Sequence, residues 1–258
     1  MGHLLEEAEA LEQRAATGRV DYLAARLARE AAAGARLLDA GCGNGYAVDI
    51  WRERGVAAVG VDNSRYRLGR WAALPRARKL LVVADAGRLP FADGAFDLVV
   101  SSGMIEHVGV VESTSPYRVA AMPDQAARRA AVVGELDRVT GPAGTLVLDC
   151  PNGSFPVDFW HGDRLGAFRV HPVPDPLLPR FADLRAWGRA AGREARLLPL
   201  AQRLSFRQIG SRWWGRLLAP LARLYLAALD LALRLGWQAL PARLQPYLVV
   251  AFRRPGAR

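Results

Sequence analysis

Short apolar runs of strand length alternate with potential helices between residues 36 and 150. Five runs occur in this part of the chain, with the sequences ARLLDA, VAAVGVD, KLLVVAD, FDLVVSS and GTLVLDC. Helices are predicted between them at residues 46–54, 64–73 and 123–139, and the last ends at a Gly141-Pro142 turn. This alternation is typical of βαβ units, which build a parallel sheet covered by helices on both faces. The sequence therefore predicts an α/β fold.

The segments before and after this core differ from it in composition. Leucines and alanines at helical spacing predict two N-terminal helices, at residues 4–16 and 20–33, with a break near Thr17-Gly18. Residues 151–179 are rich in Pro, His and aromatic residues and show no period, which favours a functional lid. Further along the chain we predict a helix at residues 180–191, no assignment at 193–209 and a last strand at 246–254.

Residues 211–240 are almost entirely apolar. Their charged residues fall within about 40° of one another on a helical projection, which is approximate if Pro220 breaks the helix. These residues are Arg212, Arg216, Arg223, Asp230 and Arg234. The central charges argue against a membrane-spanning helix. Three hypotheses remain for this segment: simple packing on the domain, an apolar-substrate pocket or peripheral membrane contact, and a dimer face.

The composition bounds the partners and the compartment. A net charge of +10 is compatible with nucleic acid as a partner, but the arginines are scattered and Lys79 is the only lysine, so we do not favour it. Cys42 and Cys150 cannot by themselves form a disulfide framework or a zinc cluster, and Cys150 is expected to be a small buried side chain. No signal-peptide pattern is evident at the N-terminus, so we expect a cytoplasmic protein.

The stretch LLDAGCGNGYAVDIW, residues 37–51, predicts a ligand-binding turn after the first strand. Gly41, Gly43 and Gly45 let backbone N–H groups approach a ligand, yet they complete neither a dinucleotide fingerprint nor a P-loop. Asp39 precedes them and would attract a cation rather than a pyrophosphate. In the alternative interpretations, the glycines form only a tight turn and Asp39 only caps the helix.

Acidic residues also end the second and third strands. Asp62, followed by Asn63, lies where α/β nucleotide sites bind the ribose hydroxyls, and Asp85, followed by Ala86, could accept a hydrogen bond from an adenine amine. Asp62 could instead cap its own helix, and Asp85 could serve a turn. Together with Asp39, these residues suit S-adenosylmethionine, which carries an ammonium, a sulfonium, a ribose and an adenine but no phosphate.

Four segments carry a resemblance to a known family. LLDAGCGNG, VGVDNS, ADAGRLPFADGAFDLVVSSGMIEHV and ELDRVTGPAGTLVLDCPN, within residues 36–152, resemble the class I S-adenosylmethionine-dependent methyltransferases. The similarity is closest to the type 11, ubiquinone/menaquinone-biosynthesis-like group that acts on small molecules. The resemblance implies S-adenosylmethionine as the cofactor and adds Ser101 to the cofactor-binding residues.

The resemblance also implies the fold in detail. It predicts a Rossmann-like, doubly wound sheet of seven strands, mostly parallel with an antiparallel last strand. A helical N-terminal cap and a helical insertion before the last strand complete it. We expect a single domain over residues 1–258, with N-terminal helices at 1–35, the cofactor core at 36–150, a lid and acceptor-side region at 151–245 and the last strand at 246–254.

Candidate catalytic residues follow the fourth strand, where ligands bind in open α/β sheets. Glu106 and His107 are the candidates, and His107 would act as the base for the acceptor's proton. The alternative is that both residues belong to a helix start. In some quinone O-methyltransferases an equivalent pair serves a divalent metal, but methyl transfer does not require one and we expect none. The residues predicted to bind the acceptor are Asn152, Trp160, His161 and His171.

The leading functional hypothesis is a methyltransferase that acts on a small, apolar acceptor. Amine methyltransferases of adenine or glutamine carry an Asn/Asp-Pro-Pro-aromatic motif where this chain has Ser101-Ser102-Gly103-Met104, which disfavours that chemistry. Two alternatives stay open. One is a tRNA or rRNA methyltransferase, suggested by the net charge, and the other is a non-catalytic module of the same fold that associates with a membrane or a partner.

Overall fold

The apolar runs of the sequence form the strands of one central sheet in the computed structural model. The structure describes residues 2–114, 117–161, 168–173, 175, 177–200 and 213–256, without the side chains of 2–8, 114, 117 and 213–217. The strands are β1 (Arg36–Ala40), β2 (Ala57–Asp62), β3 (Leu81–Val83), β4 (Phe96–Ser102), β5 (Val110–Thr114), β6 (Tyr117–Ala121), β7 (Thr140–Pro151), β8 (Val157–Asp158), β9 (Arg169–Val170), β10 (Glu194–Leu197) and β11 (Tyr247–Arg253).

Helices connect these strands. They are α1 (Gly2–Arg26), α2 (Tyr46–Glu53), α3 (Leu68–Trp71), α4 (Gln125–Val139), α5 (Phe181–Ala190), α6 (Trp213–Arg234) and α7 (Ala239–Leu244). Two short 3₁₀ turns, Arg65–Arg67 and Ile105–His107, precede α3 and β5. The predicted helices at 46–54, 123–139 and 180–191 are thereby confirmed, with ends shifted by a few residues, whereas the helix predicted at 64–73 is a 3₁₀ turn followed by the short α3.

The sheet has seven strands in the order β10-β11-β7-β4-β1-β2-β3. β1 pairs in parallel with both β2 and β4, β2 pairs in parallel with β3, and β10 and β11 are antiparallel. The chain order reverses between β1 and β4, which defines a switch point of the kind where α/β sheets bind ligands. The predicted α/β, Rossmann-like sheet with an antiparallel last strand is confirmed.

The central strands are buried almost continuously, as expected for a sheet covered on both faces. Leu37 and Leu38 on β1 and Leu98 and Val99 on β4 are fully buried. Successive side chains of such a strand point to opposite faces of the sheet, and the side chains on both faces are buried. The apolar runs therefore show no alternation of polar and apolar residues in the sequence.

The chain divides into two compact units. One consists of Met1–Ser102, Ala131–Val147 and Gly256–Arg258, and the other of Gly103–Ala130 and Leu148–Pro255. The first unit holds β1 to β4 with α1 to α3, and the second holds β5, β6 and the strands and helices after β7. The expected organisation as a single domain stays a prediction.

Two local expectations were wrong. The N-terminal residues form one helix, α1, which continues through Gly18, and the Thr17 hydroxyl donates to the Gln13 carbonyl within it at 2.9 Å. A glycine in a helix costs only about 1 kcal/mol, which the packing of α1 offsets. The turn expected at Gly141-Pro142 is instead part of β7. A Cβ at Gly141 would lie 3.2 Å from the Phe96 carbonyl, so glycine permits this close approach to β4.

Two strand pairs were not indicated by the sequence. In the lid region, β8 and β9 form an antiparallel pair. Before it in the chain, β5 and β6 form a hairpin after the 3₁₀ turn at Ile105–His107. Residues 162–167, 174 and 176 of the expected lid lie outside the described residues, as do 201–212. The unassigned segment 193–209 contains β10.

Helix α6 runs through Pro220 without a break, and its charged residues do not share one environment. Asp230 is buried and accepts a hydrogen bond from the backbone N–H of Leu200 at 2.7 Å, whereas Arg223 and Arg234 are exposed. Leu226 and Leu229 lie on the buried face of the helix. The opposite face is apolar and exposed, so the solvent-exposed surface of the helix is not confined to its charged residues.

We predict that Gly60→Ala destabilises the protein, because the new Cβ would lie 2.6–2.9 Å from side-chain atoms of Leu81, Cys42 and Val48. Overpacking of this kind costs about 1–3 kcal/mol of unfolding free energy, which urea denaturation measures. Gly134→Ala in α4 is the matched control, since nothing lies within 4 Å of its Cβ. The control should be stabilised by about 0.5–1 kcal/mol. Equal unfolding free energies for the two variants would contradict this account of the packing.

Candidate functional site

The turn between β1 and α2 is built from left-handed glycines. Gly41, Gly43 and Gly45 have φ values of 78°, 57° and 79°, and no other residue type with positive φ occurs in the described residues. An L side chain is strained in this conformation. At Gly45 a Cβ would in addition lie 2.7 Å from Leu81 and 2.8 Å from Leu74. The glycines are therefore required by the path of the backbone, as the sequence predicted.

A cavity of about 270 Å³ opens beside this turn. Its lining comes from α1, the glycine turn, the start of α2 and the 3₁₀ turn that follows β2. The lining residues are Glu12, Ala15, Ala16, Arg19, Gly41, Cys42, Gly43, Asn44, Tyr46, Ala47 and Arg67. Helix α1 thus contributes a wall of the cavity, beyond the capping of the sheet that the sequence indicated.

Asp39 and Asp62 both lie near this turn. Asp39 is buried on β1, and Nη2 of Arg19 lies 4.0 Å from its carboxylate. The carboxylate of Asp62 accepts hydrogen bonds from the backbone N–H groups of Gly43 and Ser64, both at 2.9 Å. A carboxylate has about four acceptor positions, so Asp62 retains capacity for ribose hydroxyls while it holds the turn.

Arg67 and Asn44 form the polar end of the cavity. Arg67 Nε lies 3.7 Å from Asp62, and its Nη1 donates to the Asn44 side-chain oxygen at 2.9 Å. Asn44 in turn donates to Glu12 of α1. Neither Arg67 nor Arg19 was predicted from the sequence, because an isolated arginine in a helical segment carries no motif.

The other predicted cofactor residues occupy varied surroundings. Asp85 and Asn63 are exposed, Ala86 is half-buried, and Ser101 is buried near the end of β4. Asp85 accepts a hydrogen bond from the Gly87 N–H at 2.8 Å, which is the Asx turn weighed as its alternative role. The roles of these four residues toward a cofactor stay predictions.

Both cysteines are buried, and their thiols are poor nucleophiles. Burial raises the pKa of the Cys42 thiol far above its ordinary value, and the nearby carboxylates of Asp39 and Asp62 add to the shift. Burial likewise raises the pKa of Cys150. Since the thiolate is the nucleophile, neither residue suits covalent catalysis.

A second cluster brings together Glu106, His107 and His161. The first two belong to the 3₁₀ turn before β5, and His161 follows β8 by three residues. The Nε2 atoms of the two histidines are 3.4 Å apart, and their rings meet edge to face. One ligand atom from each of the three residues lies within 4.8 Å of the others, so the cluster could hold a metal ion.

Each histidine of the cluster is oriented by a carboxylate. His161 Nδ1 lies 2.8 Å from Asp158, which is fully buried, and His107 Nδ1 lies 2.5 Å from Glu112. Burial alone would lower the pKa of His161, but its hydrogen bond to Asp158 and the charge of that residue raise it above the ordinary value. The carboxylates assign the Nδ1 hydrogens, so both Nε2 atoms face the cluster.

The carboxyl group of Glu106 is buried, which is uncommon for a glutamate. Burial raises the pKa of Glu106 to about 8. Its Oε2 atom has no hydrogen-bond partner among the described residues. The backbone carbonyl of Glu106 accepts a hydrogen bond from Arg129 of α4 at 2.9 Å, and the same guanidinium donates to the carbonyls of Val108 and Leu177. Arg129 thereby fixes the 3₁₀ turn.

The remaining predicted acceptor residues do not all have free polar groups. The Asn152 amide donates to the carbonyls of Ala242 and Gln245, and its oxygen accepts from the Ser154 N–H. Trp160 is half-exposed and packs against Tyr247 at a centroid distance of 4.6 Å. His171 is buried, with Nδ1 2.9 Å from the Pro172 carbonyl. Their roles in acceptor binding stay predictions.

Sequence reasoning missed Asp158, Glu112 and Arg129. Asp158 precedes His161 by three residues, a spacing that could have been noted as a carboxylate–histidine pair. Glu112 lies on β5, five residues after His107, and Arg129 acts on backbone carbonyls. No local pattern marks the last two.

Comparison with known proteins is consistent with this geometry. The family model described as a methyltransferase domain matches residues 38–148, which include the glycine turn and Glu106 and His107. This part of the chain therefore matches a methyltransferase domain, which agrees with the predicted class I S-adenosylmethionine-dependent methyltransferase.

Relatives of the methyltransferase domain occur among curated proteins and solved structures. An uncharacterized methyltransferase of Mycolicibacterium vanbaalenii is 34% identical over 120 residues, 46% of this chain and 40% of that protein. A malonyl-[acyl-carrier protein] O-methyltransferase of Serratia marcescens is 31% identical over 45% of this chain and 38% of its own length. The structure of a TehB-like methyltransferase from Corynebacterium glutamicum covers 98% of both chains with a TM-score of 0.54 and 18% identity, which shows the shared fold.

The likeness to the curated relatives is confined to part of each protein. The chain spans less than half of the length of these two relatives. Among the described residues, we find no helix with the length and apolar character needed to cross a bilayer.

We predict that Asp62→Asn weakens binding of S-adenosylhomocysteine to the methyltransferase domain about 10–100-fold. The substitution removes the charge that strengthens hydrogen bonds to the ribose, worth about 1.5–3 kcal/mol. Isothermal titration of the purified protein measures the affinity. Asp97→Asn is the matched control, since Asp97, near the start of β4, forms an ion pair with the exposed Arg36. An unchanged affinity for Asp62→Asn would remove Asp62 from the cofactor contacts.

Proposed function

We propose that this chain transfers a methyl group from S-adenosylmethionine to a small, mainly apolar acceptor. The cofactor is held by the glycine turn, Asp39 and Asp62, and the acceptor by Glu106, His107, His161 and the residues around them. One observation supports a small, mainly apolar acceptor: a buried polar cluster and exposed aromatic side chains occur in the same unit of the chain.

The aromatic side chains lie in the segment that carries His161. Phe159 packs against Phe155, Trp160 and Phe168 at centroid distances of 6.0–6.5 Å. Phe159, Trp160 and Phe168 nevertheless remain 39–60% exposed. Contiguous exposed apolar side chains of this kind mark binding surfaces. They favour an acceptor with an apolar body and one polar group for the histidines.

The residues of the cluster account for the proton of the reaction. S-adenosylmethionine supplies an electrophilic methyl carbon on its sulfonium sulfur. A lone pair of the acceptor forms the new bond to this carbon, and the electron pair of the carbon–sulfur bond stays on sulfur. A hydroxyl acceptor must also lose its proton, and we assign that proton to His107 Nε2, whose ring Glu112 orients.

An RNA acceptor is the alternative that the charge suggested, and the ion pairs of the structure argue against it. Arginines across the described surface are paired with carboxylates of the same chain, including Arg36 with Asp97, Arg76 with Glu53 and Arg138 with Glu135. Pairing of this kind weakens the local positive field around these arginines, on which non-specific RNA binding depends, although the net charge of +10 remains. A cytoplasmic location is part of the proposal and rests on the sequence.

Two measurements test the proposal. The first is isothermal titration with S-adenosylhomocysteine; a folded protein that does not bind it would support the non-catalytic alternative. The second follows radiolabelled methyl from S-adenosylmethionine in the presence of alkylphenols, fatty acids, alkylamines or total tRNA and rRNA. Label extracted into organic solvent supports the proposed acceptor class. Label precipitated with RNA would overturn it, as would the absence of transfer to every small acceptor.

We predict that His107→Ala lowers turnover about 10²–10⁴-fold, the usual contribution of a general base. The affinity for S-adenosylhomocysteine should not change, because His107 is assigned to the acceptor. Added imidazole should restore part of the turnover if the lost group is a proton acceptor. Wild-type turnover in the variant at saturating acceptor would refute the assignment of His107 as base.

A second proposal concerns peripheral membrane contact through α6 and α7. Leu221, Leu224, Leu231 and Leu235 lie on one face of α6 and are 57–70% exposed, and Trp237 after the helix is 63% exposed. The exposed charged residues of described residues 218–244 are Arg223, Arg234 and Arg243, and the acid in this range, Asp230, is buried. An apolar face flanked by arginines and an aromatic residue suits the surface of an anionic bilayer.

We predict that the double variant Leu224→Glu/Leu231→Glu loses binding to vesicles of phosphatidylglycerol, because both new charges would face the bilayer. Flotation of the purified chain with these vesicles measures the bound fraction. The control Val111→Glu/Val173→Glu adds the same charges at exposed apolar residues outside α6. Equal flotation of the two variants would contradict the proposal, and so would equal binding of the wild type to phosphatidylcholine vesicles.

A further inference from the structure

We infer that Glu106, His107 and His161 form a binding site for a Zn²⁺-like divalent cation. The inference deepens the proposed function, since it assigns an ion to the cluster that handles the acceptor. It departs from the sequence-based expectation that no metal is bound. It also excludes His107 Nε2 as the proton acceptor in the ion-bound protein, because a nitrogen that binds an ion has no lone pair left for a proton.

The first argument is the direction of the histidine lone pairs. Asp158 and Glu112 accept hydrogen bonds at the Nδ1 atoms of His161 and His107, so these atoms carry the hydrogens. In the neutral rings the Nε2 atoms then bear lone pairs, and they face each other at 3.4 Å. Two facing acceptors repel each other unless a cation lies between them.

The second argument is distance. Two nitrogens bound to one Zn²⁺ at about 2.0–2.1 Å with tetrahedral angles lie about 3.3–3.4 Å apart. The Nε2 separation of 3.4 Å therefore equals the edge of such a tetrahedron. The Glu106 carboxylate supplies the third ligand atom within 4.8 Å of both.

The third argument is the buried carboxylate itself. Glu106 is 2% exposed, and its Oε2 has no hydrogen-bond partner among the described residues. An unpartnered carboxylate in the interior is costly, and coordination of a metal is one way in which proteins offset that cost. Glu106 thus provides the anion, and the two histidines provide the directional ligands.

The fourth argument is the arrangement around the ligands. Metal-binding histidines commonly donate their second ring N–H to a carboxylate, which fixes the tautomer and the ring orientation. Both histidines here have such a partner, and Asp158 is in addition held by Trp160 N–H at 2.9 Å and by Arg169. The outer carboxylates are therefore positioning residues of the site.

The donor set also selects the ion. Two imidazoles and one carboxylate suit Zn²⁺ or Co²⁺, whereas Mg²⁺ prefers an all-oxygen set. Three protein ligands leave a fourth tetrahedral position open, as in catalytic zinc sites. A Glu-His pair alone would not select Zn²⁺ over Mg²⁺. This preference depends on the second imidazole, that of His161, which comes from a different segment of the chain, outside the matched residues 38–148.

Titration of the metal-free full-length chain with Zn²⁺ and with Co²⁺ tests the inference without an acceptor. We expect one ion per chain and, for Co²⁺, the intense visible absorption of a tetrahedral complex. His161→Ala and Glu106→Gln should abolish this absorption, and Asp158→Asn should weaken binding about 10–100-fold. Glu194→Gln, which removes a carboxylate from an exposed ion pair with Arg196, is the control and should bind as the wild type does; thermal melts confirm that each variant is folded.

Three outcomes would overturn the inference. They are no stoichiometric ion in the wild type, binding that His161→Ala leaves unchanged, and preference for Mg²⁺ over Zn²⁺. Titration with S-adenosylhomocysteine separates the two levels of the argument. A chain that binds this nucleoside but no ion refutes the ion site alone, with a shared proton then lying between the histidines. A chain that binds the ion but not the nucleoside refutes the proposed function.

Discussion

The left-handed turn between β1 and α2 is the constraint on which the cofactor side of this protein depends. Three alternate residues with positive φ reverse the backbone within a few ångströms of the buried strand, and only glycine adopts this conformation at low cost. The turn also exposes backbone N–H groups. One of them, at Gly43, is held by Asp62 from the end of the neighbouring strand. Asp62 therefore stabilises the turn, and Arg67, which lines the cavity, lies 3.7 Å from its carboxylate.

Much of the fold could be predicted because its signals are local. Each of the five apolar runs forms a strand of the sheet, including β3, which is only half-buried at the edge, so local composition identified all five, and the glycines marked the turn. The continuity of α1 through Gly18 and of α6 through Pro220 could not be predicted in this way. At both positions a residue that disfavours helices is outweighed by packing of the whole helix, which no window of sequence shows.

The site shows the same division between local and distant signals. Asp39, Asp62, Glu106 and His107 were found because they end strands or follow them directly. Glu112 was not, because its spacing of five residues from His107 matches no regular pattern, and Arg129 was not, because its contacts depend on the packing of α4 against backbone carbonyls. Arg19 lies 20 residues before Asp39 and approaches it only through the position of α1. A sequence motif reports contacts within a short stretch, whereas Arg19 and Arg129 contact residues that are distant in the sequence.

The buried acids of the second unit hold the histidines of the Glu106 cluster in place. Asp158 accepts hydrogen bonds from two backbone N–H groups, His161 and Arg169, so its desolvation is offset by several partners at once. Asp175 holds Arg169 in the same way. The acceptors of this network are thus satisfied on the outer side of the histidines. Glu106 Oε2, which has no hydrogen-bond partner among the described residues, lies on the inner side of this cluster with the two facing Nε2 atoms, and that is where we infer the ion site.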